Sequence, residues 1–139
     1  MYINREDINN IIDEKTLIQL TNDDAKATET FEPKIISVIE YVNNFIDDSL
    51  RGSYNLPLSS IPNTLIEAGK QIAKYKLFEL RDKNNERTEK SYNNAISIIS
   101  QYRDGKILLE EYNPTQPILS SVVKINSRTK VFNNLWLMN

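Results

Sequence analysis

"RGSYNLPLSSIP", Arg51–Pro62, separates two stretches of helical periodicity. Pro57 and Pro62 each push the residue before them toward extended geometry, so no helix runs through. Tyr54, Leu56, Leu58 and Ile61 are the apolar members of an otherwise polar segment. They are expected to reach back to the flanking helices as anchors. Two readings follow: a rigid loop held by its Tyr and Leu side chains, or a loop that presents Tyr54, Leu56 and Leu58 to a partner. Neither makes the segment catalytic. Ser59 or Ser60 is the expected cap of the helix that follows, with Pro62 near its start.

Upstream, the pattern predicts a helix from Phe31 to Leu50. Ile35, Val38, Ile39, Val42, Phe45, Ile46 and Leu50 recur at three- and four-residue steps, the signature of an apolar stripe. Pro33 suits a first turn, and Gly52 is the expected stop. Downstream, a helix is expected over Asn63–Asp82. Its apolar character runs nearly all round, which suggests a central position. Gly69 within it costs about 1 kcal/mol relative to Ala. Beside Ala68 and Ala73 it forms a small-residue patch, and close approach of the preceding helix is the expected compensation. A loop over Asp82–Glu86 leads to a further helix over Arg87–Asp104. Tyr92, Ala95, Ile96, Ile99 and Tyr102 or Arg103 are expected on its buried side, and Gly105 falls at C′. "KILLEEY" is read as one more turn.

Ahead of these, a short helix opens at Asn4 or Arg5 and carries Ile8, Ile11 and Ile12. Another covers Glu14–Leu20. "TNDDAKATE" is a polar loop. Its Asp23 and Asp24 lack the central Gly and alternating oxygens of a calcium loop, so no metal site is expected there.

From Asn113 the pattern changes. Residues 113–139 contain two early prolines, no acidic residue and three basic ones, Lys124, Arg128 and Lys130. The whole chain carries −2, which leaves −5 for residues 1–112. The segment also holds the sole Trp, Trp136, among Val131, Phe132, Leu135, Leu137 and Met138. So much apolar surface is costly to leave in water. The expected division is a helical domain over 1–112 and an extended C-terminal segment over 113–139. The expected fold is mainly α: a small helical bundle with a turn-rich crossover and an extended tail.

Composition narrows function. The chain has no Cys and no His, so thiolate nucleophiles, Cys-based zinc sites and the easiest general base near neutral pH are excluded. The three glycines stand apart, so there is no phosphate-binding loop. The acidic pairs Asp23/Asp24, Asp47/Asp48 and Glu110/Glu111 are neighbours in sequence, whereas acid–base hydrolysis needs two acids across a cleft. No enzyme and no cofactor are expected. The polar start, "MYINREDINN", has no signal-peptide core, and the apolar runs are too short for a bilayer. The expectation is a soluble protein of the cytoplasm, or of an assembly built there. A small nucleic-acid-binding or regulatory protein is the alternative, with the basic-aromatic tail touching phosphates and stacking on bases.

Four stretches resemble a known family. "MYINREDINNII" with "LIQLT", the crossover "IDDSLRGSYNLPL", the helix "PNTLIEAGKQIAKYKLF" and the terminal "SRTKVFNN" resemble, in the same order, the small phage proteins typified by the Mu gp36-like protein. The chain also resembles the helical head–tail connector, or head-completion, adaptors of tailed phages. It departs from the family pattern at Ser53, where a basic residue commonly precedes the Tyr. It also departs in its acid-poor early loop and in the extension "LWLMN" past Phe132.

The resemblance implies a structural role. Such an adaptor joins a homo-oligomeric ring at the portal vertex and carries later tail-side connector proteins. Its place is the host cytoplasm during assembly and then the head–tail junction of the virion. On this reading residues from Pro114 onward dock on a neighbouring subunit or the portal protein. Phe132 and Trp136 serve as anchors, and Arg128 and Lys130 pair with acidic groups or face packaged DNA.

Overall fold

The computed structural model describes residues 1–107 and 109. Five helices follow in order: α1 (Arg5–Ile11), α2 (Glu14–Thr21), α3 (Glu32–Leu50), α4 (Asn63–Glu79) and α5 (Glu86–Arg103). No strand occurs among the described residues. The fold is mainly α, as the periodicity predicts. The division at residue 113 lies outside the described residues. The chain groups into two compact units, Met1–Ile46 with Ile61–Ile98, and Asp47–Ser60 with the residues from Ile99 onward.

Local chemistry sets the helix starts of the first unit. Asn4 caps α1, its side chain accepting from the Asp7 amide (3.0 Å) while Asp7 accepts from the Asn4 amide (2.8 Å). Asp13 caps α2 through the amide and hydroxyl of Thr16 (3.1 and 2.8 Å). Asn85 and Thr88 cap α5 reciprocally, Thr88 N–H donating to Asn85 Oδ1 (3.0 Å) and Asn85 N–H to Thr88 Oγ1 (2.8 Å). Each pairing satisfies amides that a helix start leaves without partners.

The start of α4 differs from expectation. Its cap is Pro62, with no side-chain cap bond. The Pro62 carbonyl accepts from the amides of Leu65 (3.1 Å) and Ile66 (3.3 Å), so neither Ser59 nor Ser60 is the capping residue. The other end of α4 also differs. The helix stops at Glu79, and Asp82 takes a left-handed φ of 53°. Asp82 N–H donates to Glu79 O (3.2 Å) and Lys83 N–H to Phe78 O (2.9 Å), the paired bonds of a Schellman close. Asp stands where Gly is usual.

The core of this unit gathers Ile3, Ile8 and Ile12 with Leu17 and Leu20, Ile35, Ile39, Val42 and Ile46 from α3, and Leu65, Ala68, Ile72, Ala73 and Leu77 from α4, all buried. Val38 and Phe45, which the stripe also includes, are half-buried. Helix α4 lies against α1 and α2. The space at Gly69 is taken not by a close-packed α3 backbone, as the sequence suggests, but first by the side chain of Ile3 from the N-terminal segment, with two α3 side chains behind it. A Cβ there would sit 3.1 Å from Ile3 Cγ2, 3.3 Å from Ile46 Cδ1 and 3.5 Å from Val42 Cγ1.

Into this notch the N-terminal segment is pinned by one side chain. Asn43 Oδ1 accepts from the amides of Tyr2 (2.6 Å) and Ile3 (3.1 Å), and its Nδ2 donates to the Ile3 carbonyl (3.0 Å). An amide side chain thus offers extended backbone what a neighbouring strand would. Thr21 ties the next loop: its hydroxyl donates to Leu17 O (2.8 Å) and accepts from the Phe31 amide (2.9 Å).

Ion pairs decorate the unit. Arg5 binds Glu32 in a two-pronged contact (2.8 and 3.1 Å), and Thr30 also donates to Glu32. The Arg5 guanidinium, aided by the Thr30 hydroxyl, holds the Glu32 carboxyl down at about 2. Lys70 meets Glu67 (3.1 Å) and Lys76 meets Glu79 (3.7 Å), so these lysines are partly spent on α4's own acids.

The notch sets the first prediction. Gly69→Ala gains about 1 kcal/mol of helix propensity against about 1–2 kcal/mol of overpacking. Its urea midpoint is therefore expected close to the parent's. Gly69→Val, larger and β-branched, is expected to lose about 2–3 kcal/mol. A Val variant as stable as the parent would show that Ile3, Val42 and Ile46 do not crowd this position.

Candidate functional site

The second unit is built around the crossover. Helix α3 ends at Leu50, whose carbonyl accepts from both Ser53 N–H and Tyr54 N–H (3.0 Å each). Gly52 plays no left-handed part: among the described residues, positive φ occurs only at Asp82 and Gly105. The helix is stopped instead by this double bond to Leu50, which turns the chain back. The Leu56–Pro57 peptide bond is cis.

The turn places Ser53 and Tyr54 at the end of α5. A helix leaves its last four carbonyls without internal partners, and here each one has a donor. Asp104 N–H serves Ser100 O (2.8 Å), and Lys106 N–H serves Gln101 O (2.9 Å). Gly105, with φ of 80°, brings its N–H to Tyr102 O (3.2 Å). The crossover supplies the rest. Tyr54 donates its hydroxyl to Tyr102 O (3.1 Å), and Ser53 Oγ donates to Arg103 O (2.7 Å). Gly105 stands at C′ as its position predicts. The last turn read into "KILLEEY" is not helical at Lys106 and Ile107, which form a bend.

The sequence-derived site residues fall as follows. Tyr54 is 2% exposed and is the internal anchor of the unit, bonded to the carbonyls of Leu50 and Tyr102. Among the described residues, Leu50, Ile99, Tyr102 and Leu109 are the unit's other buried apolar residues. Leu56 and Leu58 are half-buried on the same segment. Arg128, Lys130, Phe132 and Trp136 lie outside the described residues. The three crossover residues thus share one segment, with Tyr54 turned inward and Leu56 and Leu58 half-buried. Sequence reasoning missed Ser53 as an anchor. Its signal was the departure from a basic residue at that position: a cation and a hydroxyl can both serve helix-end carbonyls. It also missed Asn43, which was legible only as a poor helix former beside an apolar stripe.

In the first unit, a groove of about 620 Å³ is lined by residues including Lys15, Asn22, Asp23, Asp24, Arg81 and Lys83. Arg81 binds the Asn22 carbonyl and the Asp23 carboxylate, and Lys34 approaches Asp23 at 4.0 Å. The Arg81 hydrogen bond, reinforced by Lys34, draws the Asp23 carboxyl below its usual range. Arg81 and Lys34 thus both answer the Asp23 carboxylate, which leaves this acid neutralised within the protein. Among the described residues, no group of three or more acidic side chains is placed to hold a metal ion. No helix there is long and apolar enough to cross a membrane.

Among the described residues the protein is a small helical one whose crossover ties the end of α3 to the end of α5. A model of the family described as Bacteriophage Mu, Gp36 matches residues 2–123, and the chain belongs to that family. No curated protein matches the chain.

The carbonyl accounting gives the second prediction. Tyr54→Phe leaves Tyr102 O with its Gly105 donor, so a loss of about 1 kcal/mol is expected. Ser53→Ala removes the Arg103 O donor and is expected to cost about 1–2 kcal/mol. Tyr54→Ala opens a cavity as well and is expected to cost about 3–5 kcal/mol. Urea unfolding followed by circular dichroism measures all three. An unchanged midpoint for Tyr54→Ala would remove the crossover from the fold's supports.

Proposed function

We propose that this protein is a structural adaptor of a tailed phage or prophage. It would join the portal vertex to the tail as one subunit of a head–tail connector ring. One observation carries the reading: in a chain of this phage family, an apolar, acid-free segment, residues 113–139, follows helices whose core is already furnished. A segment of that kind gains by docking in pockets on another chain. Repetition around a ring multiplies weak contacts through effective concentration, and closure requires heterologous faces.

On this reading the protein is no enzyme and binds no cofactor. Its partners are further copies of itself, the phage portal protein and the tail-side connector proteins. It resides in the host cytoplasm during assembly and at the head–tail junction afterwards. Phe132 and Trp136 anchor the docked segment, and Arg128 and Lys130 meet acidic partner groups or packaged DNA. Leu56 and Leu58, half-buried, remain available at the rim of the crossover.

The test is native mass by light scattering over a concentration series, with and without the portal protein of the same phage. Full-length chain is expected to form closed rings, alone or on the portal, and chain lacking residues 127–139 is expected not to bind. A monomer that ignores the portal overturns the reading. If that monomer binds duplex DNA with a steep salt dependence, the nucleic-acid-binding alternative replaces it.

A further inference from the structure

The groove formed by α2, the loop after it and the close of α4 has no part in the crossover or in the contacts proposed for assembly. It holds about 620 Å³, within the range of ligand sites. Every residue that lines it belongs to the first unit. Three bases stand on its walls, Lys15 from α2 and Arg81 and Lys83 from the close of α4, against two acids, Asp23 and Asp24.

The acids are the less available set. Asp23 is answered by Arg81 and Lys34. Asp24 has one oxygen on the Lys26 amide (2.9 Å). The bases have capacity left. Lys15 and Lys83 are exposed, and neither has an acid within ion-pair distance among the described residues. Lys15 acts on Asp13 only through space, and the Asp13 oxygens are taken by Thr16. Arg81 makes both of its side-chain contacts, to Asn22 O and to Asp23, through Nη2 alone. A guanidinium carries five N–H donors, so its Nε–H and the two on Nη1 have no partner among the described residues. The side chain that clamps the loop thus lines the same groove as two unpaired ammonium groups and still has donors to give.

Free ammonium groups and spare guanidinium donors call for anionic oxygen. A bare phosphate ion would leave most of the groove unfilled, and half-buried Ile18 and Ala27 on its walls offer such an ion nothing. A nucleic-acid strand brings a phosphate at every step, and Asp24 stands among the bases to repel it. A peptide can set carboxylates opposite Lys15 and Lys83, keep a neutral or donor group opposite Asp24, and lay an apolar side chain on Ile18. We propose that this groove is a docking site for an acidic peptide segment of another protein, its carboxylates held by Lys15, Lys83 and the spare donors of Arg81. The site does not depend on the adaptor reading, because it is built wholly from residues of the first unit.

The test titrates full-length protein into a dye-labelled peptide of alternating Glu and Ala, whose Glu side chains share one face when extended. Fluorescence anisotropy is read at low and raised salt. The same peptide with Gln for Glu and a labelled DNA duplex are run beside it. The groove variant is Lys15→Gln with Lys83→Gln, and Arg81 is spared because it clamps the loop. The control is Arg87→Gln with Lys90→Gln, two exposed bases of α5 that do not line the groove. Far-UV circular dichroism checks that the helices persist. The parent is expected to bind the Glu peptide and not the Gln peptide, and to weaken as salt rises. The groove variant is expected to lose about tenfold in affinity and the control less than about twofold. No binding of the Glu peptide overturns the proposal, and so does equal binding of the Gln peptide. A groove variant that binds as well as the parent, or a control that loses as much, overturns it and assigns the binding to diffuse charge. DNA bound more tightly than the peptide, and lost in the groove variant, overturns it in favour of nucleic acid.

Discussion

Helix α5 ends inside a compact unit, and its last carbonyls must find donors there. That requirement organises the crossover. Ser53 and Tyr54 meet the carbonyls of Arg103 and Tyr102, and both residues are held in place by their own amides on Leu50. One turn of chain thus closes two helix ends at once. A buried carbonyl left alone would cost about 1–3 kcal/mol, so the arrangement ranks with a core side chain in its effect on stability. The same geometry fixes where the chain goes next, because Ile107 lies under the Tyr54 hydroxyl.

A parallel device operates at the other end of the chain. Asn43 holds the backbone of Tyr2 and Ile3, and Gly69 leaves room for the Ile3 side chain. Neither would suffice alone. Without the notch the segment could not approach, and without the amide its buried backbone would lack partners. Polar side chains on helices therefore do for irregular backbone here what strands do in a sheet.

Much of this was legible in the sequence. The stripe Ile35, Ile39, Val42, Ile46 and Leu50 is a helix face by spacing alone, and all five are buried. Gly105 announced a helix end, and the small-residue patch at Gly69 announced a close contact. What the sequence concealed depended on three-dimensional encounters between distant residues. Ser53 was marked only as a departure from a basic residue and Asn43 only as a poor helix former, and neither mark names the partner, the carbonyl of Arg103 or the backbone of Ile3. The start of α4 was misread because Ser59 and Ser60 are good caps by type, whereas the backbone of Pro62 already occupies that position. Asp82 hid a Schellman close because Gly is the usual marker and Asp tolerates the left-handed region less well. Of the candidate site, the crossover triad was visible by composition, but only the structure shows that Tyr54 faces inward.

The account separates two kinds of signature. The crossover belongs to the architecture, and the C-terminal segment carries the contacts that we propose for assembly. Native-state hydrogen exchange tests that separation most directly, since it reads the opening free energy of each amide. The amides of Ser53 and Tyr54 should open together with those of Asp104, Gly105 and Lys106, at one shared free energy. Fast exchange at Ser53 and Tyr54 with continued protection at the end of α5 would contradict it, and the crossover would then be a surface loop free to bind.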